Sequence, residues 1–140
     1  MSDDTSDDAT IRRILTDVKT IALVGWSPKP DRPSHRVAAY LKARGYRVIP
    51  VNPGQAGQDS GLGEVVRGSL AEVGPVDMVD VFRRSEEVGP VVDEAIVSGA
   101  KVIWMQLGVE NAEAAARARA AGMEVVMNRC PAIEIPRLGL

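Results

Sequence analysis

Residues 20 to 36 constrain the fold of this chain more than any other stretch: Thr-Ile-Ala-Leu-Val-Gly-Trp-Ser-Pro-Lys-Pro-Asp-Arg-Pro-Ser-His-Arg. Ile21, Ala22, Leu23 and Val24 run without polar alternation, as in a strand covered on both faces of a parallel sheet. Gly25 ends the run. Pro28, Pro30 and Pro33 cannot donate backbone hydrogen bonds, so the segment from Trp26 to Pro33 is an exposed loop. A helix begins at Pro33 or Ser34. Its unpaired N–H groups and the positive end of its dipole, surrounded by Lys29, Arg32, His35 and Arg36, make a place for phosphate.

The remaining sequence repeats this alternation. Val37, Ala38, Tyr40 and Leu41 continue a helical face that Gly45 closes, and Tyr46 to Val51 forms the second strand. Asn52-Pro53-Gly54 ends it, and a Gly- and Gln-rich loop follows to Gly63. A short edge strand is expected near Val65 to Arg67. Val76 to Phe82 and Lys101 to Met105 are further strands, each followed by a helix: Ser85 to about Ser98, with Ile96 facing inward, and Glu110 to Ala121. Glu124 to Met127 is the last strand. Before the first strand, Ile11, Ile14, Leu15 and Val18 give an amphipathic helix from Ala9 to Asp17. Strand–helix repeats of roughly 25 to 30 residues imply a doubly wound parallel α/β sheet. With the weak Val65 strand counted third, the expected order is 3-2-1-4-5-6.

At 140 residues and 45% hydrophobic content the chain is one domain with ample core. Residues 1–8 are read as a disordered acidic tail and 9–140 as the domain. Four of the 19 acids are Asp3, Asp4, Asp7 and Asp8, which leaves 15 acids against 17 bases; a body this mildly basic is not a nucleic-acid surface. The single cysteine, Cys130, allows no internal disulfide and is expected to be packed rather than reactive. No signal peptide or membrane-length apolar run is present, so the cytoplasm is the expected compartment and no membrane partner is anticipated.

An open parallel sheet binds its ligand beyond the carboxyl ends of the strands, where the strand order reverses. Here that point lies between residues 25–36 and 82–86, bordered by the loops at Asn52 and Gln106. A dinucleotide site needs G-x-G-x-x-G after the first strand and an acid near the end of the second. Gly25 stands alone, and the second strand ends in Val51-Asn52-Pro53, so NAD is disfavoured. No P-loop occurs, and one histidine with one cysteine makes no zinc set, so no metal site is expected.

The segments Ile21-Ala-Leu-Val-Gly, Lys29-Pro-Asp-Arg-Pro-Ser, Ile49-Pro-Val-Asn-Pro, Val79-Asp-Val-Phe-Arg, Trp104-Met-Gln-Leu-Gly and Arg129-Cys-Pro-Ala-Ile-Glu together resemble the single-domain bacterial CoA-binding proteins. That family is similar to the CoA-binding domain of the succinyl-CoA synthetase alpha subunit. The resemblance implies a Rossmann-like, nucleotide-binding fold with CoA or an acyl-CoA across the switch point. By position it assigns Gly25, Ser27 and Lys29 to the phosphate loop, with Asn52 and Pro53, Arg83 and Gln106 at successive strand exits. Arg36 adds charge at the helix start. Trp26 stands where the family has a small residue, and its indole either turns away from the loop or stacks on adenine. Asn128 replaces the family's aspartate.

No acid–base pair or activated nucleophile can be assembled from these loops, so no catalytic residue is assigned and a non-catalytic carrier, sensor or regulatory role is favoured. Two alternatives stand beside it. One is the CoA-binding subunit of an acyl-CoA ligase-type enzyme, since the chain has no room for an ATP-binding domain. The other is an NAD(P)-linked redox sensor, which the fold permits. Beyond a CoA-type small molecule, the sequence names no protein partner.

Overall fold

The computed structural model describes residues 7–140. Its centre is a parallel five-stranded sheet in the order β2-β1-β3-β4-β5, built from β1 (Thr20–Val24), β2 (Arg47–Val51), β3 (Met78–Val81), β4 (Val102–Met105) and β5 (Glu124–Val126). Six helices cover it: α1 (Asp8–Asp17), α2 (Pro33–Ala43), α3 (Leu70–Val73), α4 (Val88–Ser98), α5 (Ala112–Ala120) and α6 (Pro131–Arg137).

Alternate strand residues feed two cores, which explains the unbroken apolar runs. Ala22, Val24, Val79 and Val81 pack with α3, α4 and α5 through Leu70, Val88, Val92 and Ala115. Ile21, Leu23, Met78 and Trp104 pack with α1, α2 and α6 through Ile14, Val37, Leu41 and Ile135. The chain crosses from one layer to the other between β1 and β3, because β1 leads into α2 on one face and β3 into α4 on the opposite face. The doubly wound reading is therefore what the molecule adopts.

Four details differ from the sequence reading. The expected strand at Val65 to Arg67 is reduced to two isolated bridges, a parallel one Val51↔Arg67 and an antiparallel one Asp59↔Val65. It lies beside β2, the place foreseen for it, but Pro50 has no N–H with which to lengthen the ladder: Arg67 N–H donates to the Pro50 carbonyl, and the next bond is Asn52 N–H to the Arg67 carbonyl. The first helix starts at Asp8, because the Asp7 carboxylate caps it by accepting the Thr10 N–H at 2.8 Å. Asp7 and Asp8 thus belong to the folded body, and Asp8 pairs with Arg137 at 2.7 Å. Residues 1–6 of the expected tail lie outside the described residues. Ile96 is 36% exposed rather than inward. Finally, α6 was not foreseen from the sequence.

Candidate functional site

The carboxyl ends of β1 and β3 meet at Gly25. Its φ is +91°, and a Cβ there would lie 2.1 Å from the Phe82 carbonyl oxygen, so only glycine lets these strand exits touch. The N–H groups of Gly25 and Trp26 both donate to the Val51 carbonyl, which ties the same exit to β2.

Trp26 turns inward. It is 3% exposed, packs in the core on the α2 side, and stacks on His35 with ring centroids 5.6 Å apart. Adenine stacking on this indole is therefore excluded, and only the backbone at residue 26 faces the loop. His35 Nδ1 lies 2.9 Å from the Ser27 carbonyl, Ser34 Oγ accepts the Ser27 N–H at 3.0 Å, and Ser27 Oγ accepts the Lys29 N–H at 3.2 Å. Sequence reasoning gave Ser34 no role, yet its buried hydroxyl helps set the loop after β1. Asn52 braces the other side: its Nδ2 donates to the Trp26 carbonyl at 2.7 Å, and its Oδ1 accepts the Gly54 N–H at 2.9 Å. Asn52 and Pro53 thus stand beside the loop that follows β1, with the Asn52 side chain engaged in shaping it.

These elements enclose adjoining cavities along the strand ends. One of about 350 Å³ lies at the amino terminus of α2 between Gly25, Ser27, Lys29, Arg32 and Pro33. Among the described residues neither Lys29 nor Arg32 is in a salt bridge, so both cations are available there. A neighbour of about 450 Å³ is bounded by Ser27, Asn52, Pro53, Arg83 and Glu87. Pro53 and Arg83 also border an apolar cavity of about 360 Å³ on the α3–α4 side, walled by Val24, Val51, Leu70 and Val91. On the α2–α6 side lies the largest, about 630 Å³, with Arg36, Gln106 and Cys130 in its wall. Phe82 or Arg83 borders every one of the four, so they form one crevice across the switch point.

The structure brings all nine sequence-derived residues to this crevice, with Trp26 there through its backbone. Arg83 and Arg84 are not free: Glu87 accepts from Arg83 at 2.6 Å and from Arg84 at 2.9 Å. The bond from Arg84 and then that from Arg83 hold the Glu87 carboxyl below its usual range. The Gln106 side chain is 7% exposed, and its Oε1 has no partner among the described residues. Asn128 adopts φ 58° and accepts the Gly108 N–H at 2.7 Å, a task equally open to the aspartate it replaces. Two features escaped sequence reasoning. Cys130 is buried as anticipated but lines the crevice. Asp80, in the middle of β3, is fully buried with neither oxygen bonded among the described residues, and desolvation raises its carboxyl well above the ordinary range. A lone acid between Val79 and Val81 was the available signal.

A family model described as CoA binding domain matches residues 19–136. The uncharacterized protein YneT of Bacillus subtilis (strain 168) is 43% identical over 123 residues, 87% of this chain and 89% of YneT. A hypothetical protein from Pyrococcus horikoshii OT3 superposes with a TM-score of 0.89 at 39% identity, covering 97% of this chain and 94% of that one. The Thermus thermophilus protein solved as cell-free ID.343 gives a TM-score of 0.89 at 36% identity, covering 95% of this chain and 99% of its own.

Proposed function

The chain belongs to the CoA binding domain family, and on that premise we propose that it binds CoA or an acyl-CoA along the strand-end crevice as a non-catalytic carrier, sensor or regulatory module. The observation that carries this reading is the order of surfaces along the crevice. An apolar cavity beside Val51 and Leu70 is followed by a cationic helix terminus with Lys29 and Arg32, and then by a larger cavity with a buried amide. CoA has the same order: a nucleoside, a run of phosphates, and a pantetheine arm.

The helix terminus supplies charge and N–H groups where a pyrophosphate would lie. Asn52 and Pro53 stand where an NAD enzyme would place a ribose-binding acid, which supports CoA over a dinucleotide. His35, held by the Ser27 carbonyl and stacked on Trp26, is occupied in maintaining the loop, which favours binding over chemistry.

Titration calorimetry with CoA, NAD and ATP tests the proposal. CoA is expected to bind, and NAD to bind much more weakly. Tight NAD binding with none for CoA would end this reading.

A further inference from the structure

The phosphate chemistry does not explain the cavity between α2 and α6. Its volume of about 630 Å³ is the largest along the crevice, and Val37, Phe82, Leu107, Val109 and Ile133 contribute apolar wall. Leu107 and Ile133 stand at its edge 58% and 51% exposed, two of the five large apolar side chains left in water among the described residues. Water-facing apolar groups around a concave, mostly apolar space suit an apolar ligand group. Pro33 and Phe82 wall both this cavity and the one at the helix terminus, so a ligand anchored by its phosphates reaches it directly.

A second feature points to what enters. Gln106 belongs to this wall, and its Oε1, shielded from solvent just behind it, has no donor among the described residues, so a turn of the amide brings it to a ligand. An unsatisfied buried acceptor is destabilising, and a ligand N–H is the natural remedy. A hydrocarbon has none to give, whereas the pantetheine arm carries secondary amides. Of the cations nearby, Arg83 and Arg84 bind Glu87, while Arg36 donates to the Asp31 carbonyl at 2.7 Å and is in no salt bridge among the described residues. The apolar wall itself disfavours a carboxylate at the end of an acyl group, since a charge placed there gives up its water.

Resting on the CoA reading above, we propose that this cavity is an acyl chamber: the ligand is the CoA thioester of a short, uncharged acyl group, whose hydrocarbon packs against Val37, Val109 and Ile133 while Gln106 Oε1 accepts an amide N–H of the pantetheine arm. Calorimetry of the full chain with CoA, acetyl-CoA, butyryl-CoA and hexanoyl-CoA tests it. The dissociation constant should fall by roughly fourfold for each added methylene. Ile133→Asp, at a half-exposed position that leaves the fold unburdened, should flatten the series. Gln106→Leu should weaken every member alike, by roughly twofold to tenfold, and preserve the chain-length slope. If CoA binds but the constant does not change from acetyl to hexanoyl, the chamber is refuted and the CoA reading stands. If a thioester ending in a carboxylate binds as tightly as the neutral one of equal length, the chamber is again refuted. Absence of CoA binding itself would overturn the earlier reading and this one with it.

Discussion

Arg83 reaches the crevice already paired, with its guanidinium on a carboxylate that also holds Arg84. A phosphate arriving there exchanges one anion for another. Arg83→Ala removes a charge-assisted bond and should weaken CoA roughly tenfold to a hundredfold in calorimetry. Glu87→Gln acts in the opposite sense. It frees both guanidiniums and should tighten CoA by about twofold to fivefold at low salt, a gain that fades as ionic strength rises. Loss of affinity on Glu87→Gln would show that the carboxylate positions Arg83 rather than competing for it. The sequence placed Arg83, Gln106 and the loop residues at the crevice because topology alone fixes where strand exits go. Side-chain direction was not legible. For Trp26 the sequence left two directions open, away from the loop or onto adenine, and nothing in its neighbours announced that its ring would stack on His35 beneath the loop.

At the scale of elements, the loop from Gly25 to Arg32 and the first turn of α2 behave as one clipped unit. Trp26 fills the core beneath it while Ser34 and His35 hold Ser27 from above. Trp26→Ala should therefore cost about 3–5 kcal/mol in urea unfolding. Trp26→Phe should cost less, since the indole N–H it removes has no partner. A loss below about 1 kcal/mol for the alanine variant would mean the clip does not depend on the ring. The long strand–helix repeats were legible because buried β-branched runs and closing glycines agree with one another. Two elements departed from the sequence reading in opposite directions, one expected and reduced, the other unforeseen. Val65 to Arg67 has strand composition but faces Pro50 on β2, and on its other side meets the loop through a lone bridge to Asp59. By contrast, α6 carries Pro136 inside the helix, which reads as a breaker although Pro131 opens the helix in the position proline favours.

For the molecule as a whole, Asp80 makes stability depend on pH. Burial keeps its carboxyl protonated well above the ordinary range, while in the unfolded chain it ionises near about 4. Between those two values the folded state holds the extra proton. Stability is greatest below the unfolded-state value and falls as pH rises toward the folded-state one, by about 1.4 kcal/mol per unit. Glu87, Glu64 and Asp77 are shifted downward, so their effect has the opposite sign and is confined to acid conditions. Urea unfolding of Asp80→Asn between about pH 5 and about pH 8 should show a flatter profile than the parent chain. Equal slopes would remove Asp80 from the account. The contact of Gly25 with the Phe82 carbonyl has a practical bearing on redesign. A combinatorial library aimed at new ligands must leave position 25 untouched, since any side chain there would pry the central strands apart. Diversity belongs at Arg36, Arg84, Leu107 and Ile133, whose side chains can be exchanged without disturbing the floor on which a new ligand would rest.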